Sequence, residues 1–82
     1  MSLNEYRNQI DNIDKVLFVI LEKRMDIASK IGILKKNKQI EHIDRENAMR
    51  ESMYMHSSLK KEYIDQLYNV IFSISKKYQR EI

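Results

Sequence analysis

From Leu3 to Lys36, apolar residues return at three- and four-residue intervals: Ile10, Ile13, Leu17, Ile20, Leu21, Ile27, Ala28, Ile31 and Leu34. This spacing predicts one continuous amphipathic helix, with no proline to break it and Gly32 as its one weak position. From Asn37 to Ile43 the pattern lapses, which predicts a loop. Asp44 is placed to cap a short second helix, from about Arg45 to Met55, with Ala48, Met49, Met53 and Tyr54 on its apolar side. Ser57 and Ser58 introduce a third helix, about Leu59 to Arg80, carrying Tyr63, Ile64, Leu67, Val70, Ile71, Ile74 and Tyr78. The expected fold is all-α, with three helices in a single domain over residues 1–82. No repeat, low-complexity tract or linker divides it.

The first helix is too long for its companions. About 34 residues of helix extend roughly 50 Å, whereas a compact domain of this size has a radius of gyration of about 12 Å. The other two helices together barely match it in length, so one chain cannot cover its apolar stripe. A second copy can. The pattern therefore predicts an intertwined homodimer.

Composition narrows the setting. One glycine and no proline argue against strands joined by tight turns. The absence of cysteine excludes disulfides and thiolate metal sites, and fits a reducing cytoplasm. The N-terminal residues lack the basic-then-apolar order of a signal peptide. The longest strictly apolar run, Val16 to Leu21, is too short to span a bilayer, so no membrane partner is expected. A net charge of +3 with both signs interspersed is a weak argument for nucleic acid.

Where the charges stand is more informative than their sum. Arg24 interrupts the apolar stripe, with Leu17 and Ile31 at the equivalent heptad positions on either side. Lys35 follows eleven residues later, near three full turns, on nearly the same side and about 16 Å along the axis. Cations held on an apolar face need an anionic partner, although taken singly each of these side chains could reach solvent. Arg7 lies roughly 25 Å up the helix from Arg24. Within one chain it is read as a surface residue; in an antiparallel dimer it could reach the partner's midpoint.

Asp44, Arg45 and Glu46 suit a helix start through the macrodipole, and Glu46 could pair with Arg50 one turn on. Ser75 and Gln79 stand one turn apart beside Ile71, Ile74 and Tyr78, so one of them can look inward. His42 and His56 lack partners at metal-ligand spacing, and no metal is expected. There is no glycine-rich phosphate loop and no nucleophile–base pair.

In order, Tyr6 to Asp14, Glu22 to Ala28, Lys35, Ile43 to Glu46 and Ser75 to Gln79 together resemble the all-helical class of chorismate mutases over almost the whole chain. The resemblance implies an intertwined helical dimer with two shared sites and no cofactor. It also implies conversion of chorismate to prephenate, a Claisen rearrangement in aromatic amino acid biosynthesis. Carried over position by position, Arg24 and the partner subunit's Arg7 would grip the two carboxylates. Lys35 and Gln79 would donate to the ether oxygen. Glu46 would hold the ring hydroxyl with Arg45 beside it, and Ser75 would contact a carboxylate.

Two positions depart from the family pattern. His42 stands where relatives usually carry an aspartate, at the substrate-binding edge of the site, and the loop from Lys36 to Glu41 is about two residues shorter than in some members. The nearest rival on the same scaffold is an isochorismate pyruvate-lyase, which Glu46 disfavours. A non-enzymatic helical dimerisation or nucleic-acid-binding module would explain the long helix and basic pI. It would not explain an arginine within the heptad stripe.

Overall fold

The structure, a computed structural model, describes residues 1–35 and 43–80. Among them are three helices and no strand: α1 (Leu3–Leu34), α2 (Ile43–His56) and α3 (Lys61–Arg80). Ser2 caps α1, its hydroxyl accepting from the Glu5 N–H at 3.2 Å. Lys35 closes the helix, its N–H donating to the Ile31 carbonyl at 3.0 Å.

Two expected boundaries move. Ile43 is already helical, so Asp44 lies in the first turn of α2 with Glu46 instead of capping it. Both acids still face the positive end of the helix dipole. The third helix starts at Lys61, not Leu59. The Ser57 hydroxyl accepts from the Leu59 N–H at 3.1 Å, a local side-chain bond that holds these residues in a turn. The Lys60 carbonyl then accepts from Ile64 at 3.1 Å and opens the helix.

The helices α2 and α3 form an antiparallel hairpin, tied near its turn by Tyr54 with Asp65 and at its far end by Glu46 with Lys76. Arg24 meets Ser75 and Gly32 meets Gln79, so α3 runs beside the last third of α1 in the same sense. The core is small: Met25, Ala28, Ile64 and Phe72, with Gly32 and Ser75 also buried between α1 and α3.

Most of the apolar stripe expected to be interior is bare within one chain. On α1, Leu3, Tyr6, Ile10, Ile13, Leu17, Ile20, Ile27, Ile31 and Leu34 alternate at three- and four-residue steps and all stay exposed. Arg24 occupies the one gap in that seam. On α3, Tyr63, Leu67, Val70, Ile74 and Tyr78 make a second exposed stripe. The molecule measures 54 × 26 × 16 Å with a radius of gyration of 15.7 Å, well beyond a compact chain of this length. No helix of the described residues is long and apolar enough to cross a membrane.

Candidate active site

A concave pocket of about 220 Å³ opens where the three helices converge. Each helix contributes one face at helical spacing. From α1 and its cap come Arg24, Ile27, Ala28, Ile31 and Lys35; from α2, Arg45, Glu46 and Met49; from α3, Phe72, Ser75, Lys76 and Gln79. Residues 72, 75, 76 and 79 follow the i, i+3, i+4, i+7 rule of a single helical face. The floor is apolar and the rim is charged, with four cations around one carboxylate.

Arg24 is half-buried, and its Nη1 donates to the Ser75 hydroxyl. The buried Ser75 hydroxyl in turn faces the Met25 sulfur at 3.7 Å. The Arg24 guanidinium also lies 6.0 Å from the centroid of the Phe72 ring. These contacts hold the cation at the pocket without neutralising it. Glu46 pairs through Oε1 with the Lys76 ammonium at 3.2 Å. Its Oε2 is buried and, among the described residues, has no hydrogen-bond partner. A buried acceptor left open inside a pocket is costly unless a ligand supplies the donor.

Behind the pocket a polar brace fixes α2 on α3. Arg50 Nη1 donates to the Asp65 carbonyl at 3.1 Å and to its Oδ1 at 3.2 Å, while Nη2 donates to Asn69 Oδ1 at 2.7 Å. The same guanidinium lies 5.1 Å from the Phe72 ring centroid, and Tyr68 stacks on that ring at 4.6 Å. The Tyr54 hydroxyl donates to Asp65. That bond, and then Arg50, hold the Asp65 carboxyl below the ordinary carboxylate range against the opposing effect of desolvation. The same bond, with desolvation and the charge of Asp65, raises the Tyr54 phenol.

Of the residues singled out by sequence, Arg24, Lys35, Arg45, Glu46, Ser75 and Gln79 line one pocket. Arg7 does not; it sits exposed near the far end of α1. His42 lies outside the described residues. Glu46 pairs with Lys76 across the hairpin and not with Arg50 on its own helix. Sequence reasoning missed Lys76 and Phe72 as site residues. Both share a helical face with Ser75 and Gln79, so that signal was present, but the Lys76–Glu46 pairing is a tertiary contact. Among the described residues no group of His, Asp and Glu is arranged to hold a metal ion.

Residues 6–80 match the chorismate mutase type II family. The chain belongs to that family. It is also 34% identical, over 86 aligned positions covering 99% of its length, to a bifunctional chorismate mutase/prephenate dehydratase of Buchnera aphidicola. It spans about a fifth (22%) of the length of that relative. No solved structure gives a significant match. The all-α architecture is the one expected of a chorismate mutase type II chain.

Proposed function

We propose that residues 1–82 act as a chorismate mutase and work as an intertwined homodimer with shared sites. The observation that carries this reading is the convergence of Arg24, Lys35, Ser75 and Gln79 with a Glu46 oxygen that lacks a donor among the described residues. Chorismate is a dianion with a ring hydroxyl, and its chemistry matches these groups one for one. Arg24 and the partner's Arg7 take the carboxylates, with Ser75 assisting. Glu46 Oε2 accepts from the ring hydroxyl, Arg45 beside it, and His42 serves the same edge.

The rearrangement is a closed cycle of electrons. The ether carbon–oxygen bond breaks as the new carbon–carbon bond forms, and no proton, nucleophile or cofactor enters. The protein must hold the substrate folded so that the reacting carbons meet, which removes an entropic part of the barrier. As the ether bond lengthens, negative charge grows on oxygen. Lys35 and Gln79 donate there, and fixed donors aimed at developing charge typically supply about a hundredfold or more in rate.

The dimer is supported by the two bare apolar stripes on α1 and α3. Burying one such large side chain stabilises by about 1.5–3 kcal/mol, and a second copy presents matching stripes. Arg7 lies on that bare half, exposed and outside its own chain's pocket, which supports a role in the partner's.

Purified chain incubated with chorismate should consume it and accumulate prephenate. Pyruvate released from isochorismate, without prephenate from chorismate, would replace this reading with the lyase. Turnover of neither substrate, together with salt-sensitive binding to DNA or RNA, would replace it with a binding module.

A further inference from the structure

The chain's one glycine, Gly32, stands inside α1, where glycine weakens a helix relative to alanine. Its φ is not positive, so backbone conformation does not require glycine there. Space does. A Cβ at this position would lie 2.7 Å from the Gln79 Cα and 2.9 Å from its carbonyl carbon, and would collide with the carbonyl oxygen. These are backbone atoms of α3 and cannot swing aside as a side chain could. Gly32 is buried, three residues before Lys35, and both Lys35 and Gln79 line the pocket.

We propose that Gly32 is a positioning residue for the rearrangement, resting on the mutase reading above. By seating the α3 backbone at Gln79 directly on α1, it sets the Gln79 amide and the Lys35 ammonium at one ether oxygen. A methyl at position 32 forces the last turns of the two helices apart. In the carboxylate clamp, Arg24 lies about two turns before Gly32 and Ser75 one turn before Gln79, so both are displaced less. The fault therefore falls on the donors to the transition state and not on substrate capture. Misplacement by about 1 Å can cost a hundredfold in rate.

Gly32→Ala should lower kcat between about tenfold and a hundredfold while KM changes less than about threefold. Introduced into a Gln79→Ala chain, the same change should cost at least about threefold less than it does in the unmodified chain, because one of the two groups it displaces is already gone. Ile64→Ala, in the core but outside the pocket, should lower Tm and leave kcat intact, separating lost stability from lost geometry. If Gly32→Ala is poorly folded, trimethylamine N-oxide should restore its helicity without restoring kcat. A kcat equal to wild type, a loss undiminished in the Gln79→Ala chain, or recovery of kcat with helicity would each overturn the proposal. So would a variant that stays unfolded in the osmolyte, which would assign Gly32 to the fold alone. An unmodified chain that does not turn over chorismate would instead overturn the mutase reading and this inference with it.

Discussion

The two ends of α1 are chemically opposite. From Arg24 onward it carries buried Met25, Ala28 and Gly32 against α3 and builds one wall of the pocket. Before Leu21 every residue is exposed, and Ile13 and Phe18 are 63% and 64% accessible. The C-terminal third is packed by its own chain, while the N-terminal two-thirds keeps an apolar seam with none of the described residues upon it. A helix of this length alone in water is not held by its apolar face. In the proposed dimer, folding and completing the site would be the same event: a second copy would cover the bare end, and Arg7 stands on that end.

The hardest test of that contrast is a charge in the bare half. Ile13→Asp would be nearly harmless on an exposed helix face, but at a dimer seam it should abolish both the dimer and turnover. Sedimentation at micromolar concentration is the measurement, and an active Ile13→Asp dimer would end the comparison. Next in size is the pairing of ends. Arg7→Ala and Arg24→Ala should each be nearly inactive, yet refolding them together should restore about a quarter of wild-type activity, since half the dimers are hybrids with one intact site. No recovery, despite demonstrated subunit exchange, removes Arg7 from the partner's pocket.

Within the packed end, Lys35→Ala should cost about a hundredfold in kcat with the helical signal unchanged. His42→Ala should cost far less, and equal losses would mean that Lys35 and His42 have been given the wrong weights.

The smallest effect belongs to the brace between α2 and α3. The Asp65 carboxyl lies below its ordinary value, so its contribution to stability is present above about pH 3.8 and fades as pH falls below that. The Tyr54 phenol lies above its ordinary value, so its contribution is present below about pH 10 and fades as pH rises beyond. Replacing Asp65 with asparagine should flatten both edges and lower Tm by no more than a few degrees. An unchanged pH profile of Tm would show that the brace is decorative.

Much of this was legible in the sequence because helices write their faces at fixed intervals. The three-and-four spacing located α1, and the length mismatch announced an apolar face that one chain leaves bare. Six of the eight candidate site residues line one pocket because each sits on the inward face of its helix. What was not legible depends on contacts between helices. The stripe did not show which part would be bare, Ile10 to Ile20, or that Met25 and Phe72 would form the core, since periodicity marks a face and not what covers it. Leu59 is a local exception: the Ser57 hydroxyl two residues before it holds its N–H, a competition with the helix that the apolar spacing does not record. Gly32 read as a weakness of the helix, and only the nearness of Gln79 explains it.

None of the described side chains of α2 is fully buried, and α2 is anchored mainly through polar groups of α3. Within one chain it is the element with the least to lose on opening, and local unfolding begins where burial is thinnest. Yet it carries Arg45 and Glu46, which complete the pocket wall. The least buried helix thus carries part of the site: a local opening of α2 would expose the pocket to bulk water and leave the α1–α3 contacts in place.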